Sequence, residues 1–241
     1  MKRVAEVVGQ RAQLIAGANS ARPAEIVELG LFAKRLGYEA LMLAAPYYSL
    51  PTTAELVDHF KAVAKAVKLP IVLYNFPART GVDLDSRFYD GVSNVAEIVA
   101  IKESSGSIAR MYDHIVNRAK KLELVCGADD QALDYFLWGS RSWVAGASNI
   151  LPAEHVALYD ACVKRRDFIG GRAIMDKLLP LFLLMEGGGK YLQYVKHGCE
   201  LLGLPIGQVR APLGGLSNEE KANFARLFSV ARGAGMRSKA A

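Results

Sequence analysis

Two hydrophobic periodicities alternate along the chain. Short apolar runs rich in β-branched residues occur at Gln13–Gly17, Glu39–Leu43, Pro70–Tyr74, Glu97–Lys102, Leu122–Cys126 and Ser142–Gly146. Each predicts a strand. The longer stretches between them carry apolar residues at helical spacing. Ala24–Leu36 places Ile26, Val27, Leu29, Leu31, Phe32 and Leu36 in this way. Thr53–Val67 opens on Thr52 or Thr53, both good N-cap residues, with Glu55 in its first turn. Ser107–Lys120 opens on Ser107, Asp129–Trp138 on an acidic pair suited to a helix N-terminus, and Pro152–Arg165 on a proline. Strand and helix recur at a step of about 25–30 residues, which predicts βαβ units and a parallel sheet. After Asp167 the strand pattern stops. Phe168–Met185, Lys190–Leu202 and Asn218–Ala231 then read as three helices, an all-helical appendage on a βα body.

Composition narrows the class. Of 241 residues, 51% are hydrophobic and 22% charged, a globular balance that excludes disorder and a coiled-coil rod. No apolar run is long enough for a membrane span, and no secretory signal is read at the N-terminus. Cys126, Cys162 and Cys199 are odd in number and widely spaced, which points to a reducing cytoplasm rather than a disulfide framework. His59, His114, His155 and His197 form no zinc motif, so no metal is expected. The net charge of +6 is spread in short pairs, without the basic runs of a nucleic-acid binder; it suits steering of anionic substrates instead. Gly187-Gly188-Gly189-Lys190 follows a helix and is succeeded by Tyr191, so it reads as a helix–helix connection and not a phosphate loop.

Candidate chemistry lies where strands end. Alternation puts Ile98, Ala100 and Lys102 on one strand face, with Lys102 at its C-terminal end. An enclosed lysine loses its charge more easily, and a neutral amine can attack a ketone to form a Schiff base; alternatively, it snorkels to water. Tyr74 ends the preceding strand on the face of Val72 and could relay protons, or simply cap the core. Arg79, five residues on, could hold a carboxylate bidentately or lie solvated on its loop.

Taken together, Tyr74-Asn75-Phe76-Pro77-Ala78-Arg79-Thr80-Gly81 and Ile101-Lys102-Glu103-Ser104-Ser105-Gly106 resemble the paired signature of the dihydrodipicolinate synthase / N-acetylneuraminate lyase family. The spacing of 28 between Tyr74 and Lys102 fits, as do Pro46-Tyr47-Tyr48, Gly127-Ala128-Asp129-Asp130 and Gly146-Ala147-Ser148-Asn149. The resemblance implies a TIM (β/α)8 barrel with a three-helix C-terminal region, a class I aldolase that usually forms a homotetramer. Lys102 would capture pyruvate as an imine, Tyr74 would be the central proton relay, and Tyr48 would reach a neighbouring subunit's site. Arg79 would bind the carboxylate of an aldehyde substrate, as in the synthase branch. Gly127 and Val144 would line the substrate pocket, Val144 through its backbone carbonyl. No cofactor is implied, because the imine itself is the electron sink.

One family motif has no counterpart: the Thr-Thr-Gly-Glu-type loop after the second strand. Matched from its N-terminus, Met1–Gln10 resembles the end of the second helix, so about two βα units, roughly 50–60 residues, are absent. The expected organisation is therefore a barrel of about six βα units over residues 1–166 and a helical region over 167–241. The expected function is condensation of pyruvate with aspartate semialdehyde, in lysine biosynthesis. Two alternatives stand beside it: a 2-keto-3-deoxy sugar acid aldolase or dehydratase, or hydroxyproline-pathway deaminase, and a truncated scaffold without turnover. The partners are thus pyruvate, a small aldehyde and further copies of the chain, as a dimer or tetramer, with no nucleic acid and no membrane.

Overall fold

The computed structural model describes residues 1–235. In chain order the elements are α1 (Lys2–Val8), β1 (Ile15–Gly17), α2 (Pro23–Arg35), β2 (Ala40–Ala44), α3 (Thr53–Val67), β3 (Ile71–Asn75), the single turn α4 (Pro77–Thr80), α5 (Ser86–Val92), β4 (Ile98–Glu103), α6 (Ile108–Asn117), β5 (Glu123–Cys126), α7 (Ala132–Leu137), β6 (Ser142–Trp143), α8 (Pro152–Tyr159), α9 (Phe168–Gly187), α10 (Tyr191–Leu201) and α11 (Asn218–Ala231). In the first part of the chain β1, β2, β3 and β4 pair in that order, all in parallel. The chain divides into two compact units, Met1–Val125 and Cys126–Ala241.

In the first unit, register and burial divide the sheet into two faces. Leu41 and Leu43 of β2 and Leu73 of β3 are fully buried, and so is the face of α3 formed by Leu56, Phe60, Val63, Ala64 and Val67. That spacing is the reason α3 is a helix with one apolar stripe. Its N-terminus is closed by a capping box, in which Thr52 Oγ1 accepts from the Glu55 amide and Glu55 returns a bond to the Thr52 amide. Gly30 lets α2 approach α3, since a Cβ there would lie 2.9 Å from Val67 Cγ2. The other face carries Met42 opposite Val72 and Ala44 opposite Tyr74, continued on β4 by Ala100 and Lys102.

The sequence expects no helix between β3 and β4, yet α5 occupies Ser86–Val92, capped by Asp85, whose carboxylate accepts from the Phe88 amide at 3.0 Å. It is seven residues long and contains Gly91, so its periodic signal is weak.

In the second unit the expected helix Asp129–Trp138 begins as a 3-10 turn, Asp129–Gln131, and the stretch after α8 relaxes into a π turn, Asp160–Lys164. The three C-terminal helices fall where the periodicity puts them. The glycine cluster joins α9 to α10, as expected of a connection; Lys190 there donates to Glu220 of α11 at 2.6 Å. Among the described residues no helix is long and apolar enough to cross a membrane.

Three histidines are buried: His59 and His114 in the first unit and His155 in the second. Burial holds each below its ordinary value of 6.5. His59 Nε2 has no hydrogen-bond partner among the described residues. His155 stacks on Trp143 at 4.4 Å and bonds the Leu151 carbonyl through Nδ1 at 2.7 Å. Because these folded-state values are depressed, the unfolded chain takes up protons near pH 6.5 that the folded chain refuses. The stabilisation is complete above that pH and is lost as pH falls, by up to about 1.4 kcal/mol per pH unit for each histidine. The urea midpoint is therefore expected to drop between pH 7 and pH 5. A midpoint that stays level over that range contradicts this assignment.

Candidate functional site

Lys102 and Tyr74 meet because their strands are in register. Val72 pairs with Ala100, Leu73 with Ile101 and Tyr74 with Lys102, after a register shift at Ile71/Val72. Alternation then puts both side chains on the same face as Ala100, as the sequence predicts. Lys102 is only 9% exposed. Its Nζ stands 4.1 Å from the centroid of the Tyr74 ring, within the range of a cation–π contact. A buried amine against a phenol can serve as a nucleophile with a proton donor and acceptor beside it.

The loop after β3 carries Arg79 beside this pair. Pro77 starts the turn α4 with its fixed φ, and Gly81, at φ 72, ends it. Thr80 is buried and donates to the Val82 carbonyl at 2.9 Å. Arg79 is exposed, with its guanidinium carbon 5.7 Å from the centroid of the Phe76 ring, and that ring lies 5.8 Å from the ring of Tyr74. An aromatic step thus connects the guanidinium to the lysine pair.

Tyr48 is placed differently. It lies between β2 and α3 at φ 75, a region that a non-glycine residue enters only at a cost of order 1–3 kcal/mol. It is 95% exposed, and Tyr47 and Leu50 beside it are exposed as well. The structure does not bring Tyr48 into contact with Tyr74 or Lys102 by any hydrogen bond or ring contact described.

Gly127 and Val144 belong to the second unit. Gly127 follows β5, and the Val144 amide donates to the Cys126 carbonyl at 3.0 Å. Next to them lies a hub the sequence does not reveal. Asp129 is 1% exposed. Its carboxylate accepts from Trp143 Nε1 at 3.0 Å, the Ala147 amide at 3.0 Å and the Tyr191 hydroxyl at 2.5 Å. Asp129 stands in the first turn of its helical segment, as the sequence expects, and its carboxylate is there engaged by these three donors. Burial of the Tyr191 phenol, and after it the Asp129 charge, push that phenol up. Gly146 is required for this approach, since a Cβ there would sit 2.5 Å from the Tyr191 hydroxyl. Partners 14 to 62 residues away leave no local sequence pattern. Among the described residues no group of three or more His, Cys, Asp or Glu is arranged to hold a metal ion.

Comparison with known proteins gives a consistent picture. The model of the dihydrodipicolinate synthetase family matches residues 1–231. A 4-hydroxy-tetrahydrodipicolinate synthase of Exiguobacterium sibiricum is 35% identical over 226 residues, which is 94% of this chain and 75% of that protein. The solved 4-hydroxy-tetrahydrodipicolinate synthase of Methylacidiphilum fumariolicum SolV superposes with a TM-score of 0.88 at 28% identity, covering 95% of this chain and 76% of that one. The chloride-inhibited dihydrodipicolinate synthase of Acinetobacter baumannii, complexed with pyruvate, gives a TM-score of 0.83 at 27% identity over 95% and 78% of the two chains.

Proposed function

The chain belongs to the dihydrodipicolinate synthetase family of Schiff-base class I aldolase-type lyases, with its TIM-barrel-like fold, and on that footing we propose that it condenses pyruvate with aspartate semialdehyde. Once it has given up its proton, the Lys102 amine attacks the keto carbon of pyruvate, and loss of water from the carbinolamine gives an imine. Loss of a methyl proton gives an enamine, whose carbon adds to the aldehyde. The amino group of the aldehyde substrate then attacks the imine carbon, expelling the Lys102 amine and closing the ring, which gives the lysine-pathway heterocycle. Tyr74 moves the protons that the carbinolamine and imine steps require. Arg79 pairs with the carboxylate of the aldehyde substrate, a role that suits an exposed guanidinium held two aromatic rings away from the amine.

The observation that carries the reading is the placement of the Lys102 amine over the Tyr74 ring at paired positions of neighbouring strands. The pyruvate complex of the Acinetobacter baumannii protein supports pyruvate as the first substrate. Gly127 and Val144 are assigned to substrate binding on the family resemblance alone. The strained, exposed Tyr48 with Tyr47 and Leu50 supports assembly into a dimer or tetramer. The three free cysteines, all buried, support a cytoplasmic location.

The experiment is a coupled assay with pyruvate and each aldehyde in turn. Turnover is expected with aspartate semialdehyde. Turnover confined to 2-keto-3-deoxy sugar acids would move the chain to another branch of the same chemistry, and no turnover with any keto acid would leave only a scaffold.

A further inference from the structure

We infer that Asn75 is a positioning residue for this reaction: its side-chain amide ties the Lys102-bearing end of β4 to both ends of the loop that carries Arg79. The inference rests on the reading of Lys102 as the imine-forming residue and extends it to residues that never touch substrate.

Asn75 is the last residue of β3 and pairs in register with Glu103, one step beyond the Tyr74–Lys102 pair. Alternation turns its side chain away from the face that bears Tyr74. It is 1% exposed, and Glu103 is 4% exposed. A buried amide must find partners for two N–H donors and a carbonyl, and Asn75 does. Nδ2 donates to Glu103 Oε2 at 3.0 Å and to Asp83 Oδ1 at 3.0 Å. Oδ1 accepts from the Leu84 amide at 3.1 Å.

These three bonds have two mechanical consequences. Across the sheet, the Glu103 carboxylate is gripped between Asn75 and the Ser105 amide, which donates to Oε1 at 2.7 Å. The Ser104 amide also donates to the Asn75 carbonyl at 2.9 Å. The residues on the C-terminal side of Lys102 are therefore fastened to the residue after Tyr74. Along the chain, Asn75 precedes the Arg79 loop while Asp83 and Leu84 follow it, so one amide closes the loop at its base. Arg110 of α6 braces that closure from outside through an ion pair with Asp83 and a bond from its guanidinium to the Leu84 carbonyl at 3.2 Å. Tyr89 of α5 lies in the field of Glu103, and Asp113 and Arg118 act on both Tyr89 and Arg110.

No isostere keeps this set. Leucine offers no polar atom, and aspartate removes both donors while facing the carboxylates of Glu103 and Asp83. The pair can, however, be reversed. With Asn75→Asp and Glu103→Gln together, the glutamine amide donates to the new carboxylate, restoring the bond across the sheet. The clash with Asp83 at the loop base persists.

The test uses the full chain and its variants Asn75→Asp, Glu103→Gln and the double substitution. Two quantities are read for each: the rate of borohydride-trapped pyruvate adduct, and KM for the aldehyde against kcat. At pH 8, Asn75→Asp is expected to slow trapping and to raise the aldehyde KM, each by about tenfold or more, the scale on which a buried bond to a charged group acts. Lowering the pH narrows the ratio of the parent's trapping rate to that of Asn75→Asp at the same pH, because the protonated carboxyl again offers a donor to Glu103. Glu103→Gln slows trapping alone. The double variant recovers trapping to within about threefold of the parent, while its aldehyde KM stays raised. If Asn75→Asp does not fold, Glu103→Gln and the double variant still carry the comparison. Trapping and KM within twofold of the parent in every variant that folds overturn the inference and leave the role of Lys102 standing. Equal losses in the single and double variants overturn it as well. A parent chain that traps no pyruvate overturns the reading of Lys102, and this inference with it.

Discussion

Replacing Lys102 by alanine is expected to abolish borohydride trapping of pyruvate and to lower turnover by at least about 10⁴-fold, the scale seen when a covalent nucleophile is lost. The argument begins with the strand. Lys102 is carried on a face whose preceding member is Ala100, and it is buried to 9% exposure at the strand's C-terminal end. Only a primary amine there can form an imine, so the expected loss depends on chemistry and not on charge. Lys102→Arg makes the distinction, because guanidinium keeps a positive charge over the Tyr74 ring but stays protonated and does not attack a carbonyl. Both variants should be equally inactive. An arginine variant with substantial turnover would assign Lys102 an electrostatic role instead.

The second large effect is expected from Tyr74→Phe. Phenylalanine keeps the ring beneath the amine at 4.1 Å and its contact with Phe76 at 5.8 Å, so the cation–π contact and the local packing persist. Only the hydroxyl is lost. If it moves protons during dehydration of the carbinolamine and loss of the methyl proton, kcat falls by about 10²–10⁴-fold, the usual worth of a positioned acid–base group. Stability should change far less, and KM for pyruvate should rise only modestly. A fall in kcat under tenfold would mean that the ring matters and the hydroxyl does not.

What the sequence discloses and what it hides follow the range of the interactions. All six strands fall on the runs that periodicity marks, three of them ending one residue later than expected, at Ala44, Asn75 and Glu103, and α3 and α11 match their expected bounds, because each is set by neighbouring residues. Lys102 and Tyr74 are legible for the same reason: each ends an apolar run in the sequence, one residue before the end of its strand, and alternation states which face it takes. That they touch is legible only through the family resemblance, since their register includes a shift at Ile71/Val72 that no local pattern announces. The Asn75–Glu103 bond has the same separation of 28 residues and was hidden equally. The partners of Asp129 are the least legible, although it stands at the helix start as expected. Local rules place an aspartate at the start of a helix to meet the helix dipole, but its partners come from β6, the turn after it and α10. The satisfaction of three buried donors outweighs a surface dipole contact of a few tenths of a kcal/mol to about 1 kcal/mol. The helix α5 is illegible for the opposite reason: its seven residues hold too little periodic information.

The most direct measurement of the central claim is intact-mass and peptide-mapping analysis of the full chain after incubation with pyruvate and borohydride. The expected result is one reduced pyruvate per chain, located on Lys102 and absent from the Lys102→Ala variant. An unchanged mass, or an adduct carried by any other lysine, would contradict it.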